Sequence, residues 1–71
     1  MIIRFKEDCG FWVESYDKET EITEGRDETF KASEEVVGKI VIDHGDYVSF
    51  QFSNGSMIYG LKRELFEVVK E

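Results

Sequence analysis

Apolar and polar residues alternate one for one through Val48-Ser49-Phe50-Gln51-Phe52. This is the period of a β-strand with one buried face, and it sets Val48, Phe50 and Phe52 to one side. Asn54-Gly55 follows, the pair that best accepts the positive φ angles of a type I′ hairpin turn. Met57-Ile58-Tyr59 then reads as the return strand. Upstream, Val36-Val37-Gly38-Lys39-Ile40-Val41-Ile42 is rich in β-branched residues and predicts a strand in which Val36, Ile40 and Ile42 share a face with Gly38. Asp43-His44-Gly45-Asp46 reads as the tight turn between the two, with Gly45 available for positive φ. Val36 to Tyr59 is thereby predicted to be a three-stranded meander.

The flanks carry weaker patterns. Leu61 to Leu65 is too short for an independent helix and predicts a single helical turn. Phe66-Glu67-Val68-Val69 reads as a closing strand with Phe66 and Val68 on one face, and Ile2 to Lys6 and Phe11 to Tyr16 are two further strands around Asp8-Cys9-Gly10. From Glu14 to Glu35 the character changes: nine acids stand against three bases, and the only apolar residues are Tyr16, Ile22, Phe30 and Ala32. That segment reads as a long acidic loop holding at most a ragged hairpin at Glu21-Thr23 and Thr29-Lys31, with the order of residues 17–27 left open. Five to six short antiparallel strands on a chain this small are expected to close into a barrel, since closure removes exposed edges.

The run from Val36 to Val69 resembles the C-terminal part of SH3-like small β-barrels. It offers a strand, a tight turn at His44-Gly45, a strand from Asp46 to Phe52, the Asn54-Gly55 turn, a return strand, one 3₁₀-like turn at Leu61 to Leu65 and a last strand from Phe66 to Val69. The stretch from Glu28-Thr29-Phe30-Lys31-Ala32 through Glu67 is also similar to bacterial domains of this size. The resemblance covers about half the chain and rests on pattern rather than on a signature motif. It implies a mainly β fold, a small SH3-like barrel with one 3₁₀ turn and a long acidic loop, and a binding module more readily than an enzyme. The chain departs from the nucleic-acid-binding members of that fold, whose loops are basic and glycine-rich where this one is acidic.

Composition narrows the function classes. The 71 residues form one small domain with 16 acids against 9 bases, a formal charge of -7. Such a balance opposes binding to phosphate backbones, which needs Lys and Arg to release counterions, and opposes anionic membrane surfaces. At 41 % hydrophobic and 14 % aromatic the chain is too apolar for a disordered acidic tail. A lone Cys9 forms no internal disulfide and fits a reducing, cytoplasmic setting. The start, Met1-Ile2-Ile3-Arg4-Phe5-Lys6, is charged too soon for a signal peptide.

Enzymatic chemistry finds no constellation. Cys9 and His44 have no evident third partner to complete a triad. Glu7 and Asp8 are expected to raise the thiol pKa and make Cys9 a sluggish nucleophile. Asp43-His44-Gly45-Asp46 offers too few ligands for a stable metal site, and no glycine-rich phosphate loop is present. No cofactor is expected.

What stands out is a concentration of acids beside exposed-looking rings. Trp12, Phe5, Phe11, Phe30, Phe50, Phe52 and Phe66 are the bulk available for a core, and a chain this short has little reason to leave Trp12 outside it. Trp12 and Tyr16 nevertheless share one strand face, while Tyr47 falls out of phase with Val48, Phe50 and Phe52 and is expected on the surface with Tyr59. The candidate partner-binding set is Trp12, Tyr16, Glu19, Glu21, Glu24, Tyr47 and Tyr59. The expected partner is a basic protein or peptide, taken by aromatic anchors and steered by the acidic segment. Two other readings share the same features: an inhibitor that imitates nucleic acid, which the clustered negative charge motivates, and a structural homo-oligomer, such as a homodimer, joined along an exposed sheet edge.

Overall fold

The computed structural model describes residues 1–71 as seven strands: β1 (Ile2–Phe5), β2 (Cys9–Asp17), β3 (Ile22–Phe30), β4 (Glu35–Asp43), β5 (Tyr47–Phe52), β6 (Met57–Lys62) and β7 (Phe66–Lys70). One 3₁₀ turn, η1 (Arg63–Leu65), precedes β7. All pairings are antiparallel, and the spatial order is β3-β2-β6-β5-β4-β1-β7. β3 and β7 are the two edges and do not pair with each other, so the sheet is not closed. No helix is long and apolar enough to cross a membrane.

The predicted meander is present as β4-β5-β6, and Gly45 takes a φ of 96° in the turn between β4 and β5. Arg63 fastens that turn from η1: its guanidinium donates to the Gly45 carbonyl at 2.8 Å and to Asp43 Oδ2 at 2.7 Å. Two details differ from the expectation. Positive φ occurs at Gly55 (94°) but not at Asn54, so the turn is not type I′. Gly55 donates its N–H to the Phe52 carbonyl, and Asn54 Oδ1 accepts from the Ser56 N–H. This is a longer loop, in which the asparagine side chain closes the turn and only the glycine enters the left-handed region. Pairing of β4 with β5 also shifts register between Ile40 and Ile42. The extra residue, Val41, is a β-bulge that turns Ile42 out to solvent instead of leaving it in phase with Val36 and Ile40.

The largest correction concerns the acidic segment. It is not a loop: every residue from Cys9 to Asp17 pairs with one from Phe30 back to Ile22, which raises the strand count to seven. Only residues 18–21 turn the chain, with Glu21 at a φ of 57° and the Glu19 N–H donating to Asp17 Oδ1 at 2.9 Å. Composition misleads here because a ladder needs backbone groups, not apolar side chains. Arg26 interrupts the acids and pairs with Glu28 at 3.0 Å, which relieves the like-charge crowding. The hairpin joins the meander through Val13↔Ile58 and Glu14↔Met57, and beyond them it projects, giving a body of 35 × 21 × 20 Å.

Nine residues form the core: Ile3, Phe5, Val13, Phe30, Val48, Phe50, Ile58, Leu61 and Phe66. Phe5 stacks on Phe30 with ring centroids 4.6 Å apart, and Phe52 meets Phe50 edge-on, arrangements that aromatic quadrupoles favour. Val68 stays 42 % exposed although it follows Phe66 in phase, because β7 is an edge with nothing packed over its end. Arg4 on β1 reaches Glu35 of β4 at 2.7 Å and Glu67 of β7 at 3.3 Å, bridging its two neighbouring strands.

Candidate functional site: an exposed aromatic face

Val13 and Ile58 are both buried and paired, so the alternation along β2 and β6 turns Trp12, Glu14, Tyr16 and Tyr59 to the opposite, outer face. Val48 is fully buried, which sets Tyr47 outward on β5, whereas the next residue, Ser49, is itself buried at 2 % exposure. Four of the expected partner-binding residues, Trp12, Tyr16, Tyr47 and Tyr59, therefore lie on one face of one sheet. They are 53 %, 57 %, 42 % and 53 % exposed respectively. Trp12 is thus not a core residue: the parity of Val13 leaves it no inward position, and the phenylalanines fill the interior.

Two of the rings, Trp12 and Tyr47, are held by contacts. Trp12 lies across Gly25 of the neighbouring strand, where a side chain would collide with the indole. Its Nε1 donates to Glu14 Oε1 at 3.3 Å. Tyr47 stacks on His44 with centroids 4.6 Å apart, and His44 Nε2 lies 3.3 Å from Ser49 Oγ. The Ser49 hydroxyl also lies 3.3 Å from the Tyr59 carbonyl, so a chain of contacts runs from Tyr47 through His44 and Ser49 to the strand that carries Tyr59. Ile42, made exposed by the bulge, pairs with Ser49 on this face.

The acids divide differently from the expectation. Glu19 and Glu21 sit at the hairpin turn, and Glu24 pairs with Ser15 on the face that carries Val13, with Arg26 and Glu28 in the same row. Glu24 therefore lies on the face opposite the rings, and Glu19 and Glu21 at the hairpin end beyond Tyr16. The acids among the rings are Glu14, bonded to Trp12, and Asp27, directly opposite Trp12 in the ladder. Period two counted from Trp12 reaches Glu14 from sequence alone. Asp27 needs the pairing register, which no local pattern supplies.

Elsewhere the chemistry is quiet. Burial first, then the charges of Glu7, Asp8 and Glu34, push the Cys9 thiol above its ordinary pKa, which keeps it protonated. The sequence named Glu7 and Asp8 and missed both Glu34 and the larger cause, burial. No group of three or more His, Cys, Asp and Glu side chains is gathered as metal ligands would be. Compared with known protein families, curated proteins and solved structures, the chain matches none.

Proposed function

We propose that this chain is a non-enzymatic protein-interaction module that takes a basic, extended segment of a partner across its outer aromatic face. The observation that carries the reading is that Trp12, Tyr16, Tyr47 and Tyr59 lie spread over one side of the sheet, each at least two-fifths exposed. Large rings contribute contact area at low entropy cost and attract Arg and Lys through their π faces. Glu14 and Asp27 add negative charge beside Trp12, and the net charge of -7 favours encounter with a basic partner. We propose further that the sheet, although open, follows the strand arrangement of the SH3-like small barrels. In support, β4 is shared between β1 and β5, the 3₁₀ turn directly precedes the last strand, and that strand returns to pair with the first.

The test is binding of a library of Arg- and Lys-containing peptides to the folded chain by fluorescence polarisation. Bound peptides are expected to dissociate as salt rises, since exposed charges are screened within about 10 Å at 0.1 M. Trp12→Ala and Tyr59→Ala are each expected to weaken binding at least tenfold, in the range of an interface hot spot, while Glu19→Gln/Glu21→Gln/Glu24→Gln slows association alone. Peptide binding indifferent to both aromatic substitutions would refute the assignment.

A further inference from the structure

We infer that β3 is a self-complementary edge through which two copies of this chain pair antiparallel about a two-fold axis at Gly25. This reading does not depend on the basic partner, since it uses the free edge of β3 and not the aromatic face.

The nine residues of β3 pair with β2 without a bulge, so their free side is a regular row of backbone donors and acceptors. Such an edge is ordinarily guarded by charge, and β3 is charged. The order of its charges, however, fits a second copy. A two-fold axis perpendicular to the sheet keeps side chains on their own face, so each residue meets one of the same parity. Centred on Gly25, that register sets Glu24 opposite Arg26 of the second copy and Arg26 opposite its Glu24, giving two cross-strand ion pairs from one repeat. Gly25 faces Gly25, and the two Trp12 rings, each lying over its own glycine, approach one another at the axis. Registers centred on Glu24 or Arg26 would instead set like charges opposite one another.

A second observation points the same way. Ile22 is 54 % exposed on a strand whose only other large apolar residue is the buried Phe30, at the far end of the same row. Beside that row a groove of about 300 Å³ opens, with Phe30, Val36, Val37 and Phe52 as its apolar wall and Arg26, Glu28 and the polar residues of the β5–β6 loop as the rest. In the Gly25 register Ile22 of one copy stands opposite Glu28 of the other, diagonal to Phe30 and at this groove. Each copy thus presents an apolar knob to the other and receives one beside the apolar wall of a mixed recess, the reciprocal contact of an isologous interface.

Sedimentation equilibrium from about 10 µM to about 1 mM spans the range expected of a small interface. The wild type is expected to pass from 8.3 kDa to twice that mass. Glu24→Arg sets one guanidinium against another, the introduced side chain facing Arg26 of the second copy, and is expected to raise the dissociation constant at least tenfold. Net charge alone predicts the opposite, because this substitution lessens the repulsion between two chains of -7. The swap Glu24→Arg/Arg26→Glu restores both pairs at unchanged net charge and is expected to restore dimerisation. Ile22→Asp, which leaves both pairs intact, is expected to weaken it at least tenfold. Circular dichroism of each variant confirms that the exposed substitutions leave the fold in place. A wild type that stays monomeric to about 1 mM overturns the inference. So does a dimer that Glu24→Arg leaves unchanged, or one that the swap fails to restore, outcomes that would assign the edge to a strand of another protein or the dimer to another surface.

Discussion

Gly38 and Gly60 both lie in strands, yet they predict opposite responses to the same methyl group. Glycine in a strand ordinarily costs about 0.5–1 kcal/mol relative to alanine, through the freedom that the unfolded chain loses. At Gly60 an added Cβ meets nothing within 4 Å, so Gly60→Ala is expected to recover about that amount. At Gly38 the same Cβ would run into the Gln51 carbonyl and come within 2.7 Å of two carbons of the Phe50 ring. Phe50 is fully buried and cannot swing aside, and the Gln51 carbonyl is backbone. The strand must move instead, and Gly38 is tied there from both its groups: its carbonyl accepts from the Met1 ammonium at 2.8 Å and its N–H donates to the Met1 carbonyl at 3.0 Å. Overpacking of this kind costs about 1–3 kcal/mol, so after the entropic gain the net loss lies within about 0–2.5 kcal/mol, and toward its upper part because neither obstacle can yield. Against a total of about 3–5 kcal/mol for a domain of this size, that is a large share. At about 4–8 °C per kcal/mol that upper part lowers the melting temperature by roughly 5–20 °C. Urea melts of both variants beside the wild type test the argument. Gly38→Ala as stable as Gly60→Ala would refute the packing at the junction of β1, β4 and β5.

Gly25→Ala drives the Trp12 indole off β3, and because the displaced group is one mobile side chain the stability loss is expected to stay below about 1 kcal/mol. Tryptophan emission should change while far-UV circular dichroism does not; unchanged emission would mean that the indole does not rest there. Asp43 predicts a titration: the Gly45 N–H first and Arg63 second hold its carboxylate below the ordinary 3.8. A depressed folded pKa stabilises above the unfolded value and is lost as pH falls through the folded one, so this contribution should fade only in acid below pH 3.8. An NMR titration of the Asp43 carboxyl in wild type and Arg63→Gln should show the variant regaining only part of the shift, because the backbone bond remains. Full return to 3.8 would place the cause in Arg63 alone.

The parts of this fold that sequence discloses are those in which side-chain alternation and burial coincide. Val48 and Phe50 are apolar and inward, so period two marks β5 directly, whereas in β6 the buried Ile58 and Leu61 stand three apart across an irregularity in the pairing with β5. The pattern fails where the backbone, not the side chains, decides. Val41 adds one residue to β4 and turns Ile42 from core to surface, and nothing in a β-branched run reveals which residue is extra. The β2–β3 hairpin fails for a different reason. Its outer part has no core beneath it to demand apolar residues, so its ladder runs through acids and threonines, and composition reads as loop.

Trp12 joins these two failures. Counted as bulk, it belongs in the core, because so short a chain has few large rings. Placed by the parity of Val13, it belongs outside, and Gly25 is then no accident of a flexible loop. A side chain at position 25 would collide with the indole, so the glycine that weakens β3 as a strand is what lets Trp12 lie flat beside Glu14 and Asp27. The same glycine leaves the middle of the edge bare, where only backbone and the ring above it are presented to an approaching strand. A residue choice that looks unfavourable for local structure thus becomes consistent once the ring, the register and the free edge are considered together. Position 25 is therefore the place where one methyl group tests the aromatic face and the edge at once. Gly25→Ala should displace the indole and weaken peptide binding, whereas the Glu24→Arg/Arg26→Glu swap should leave peptide affinity within about twofold, the spread of ordinary surface substitutions. If the swap abolished peptide binding while the indole stayed in place, the partner would be seated on the edge and not on the rings.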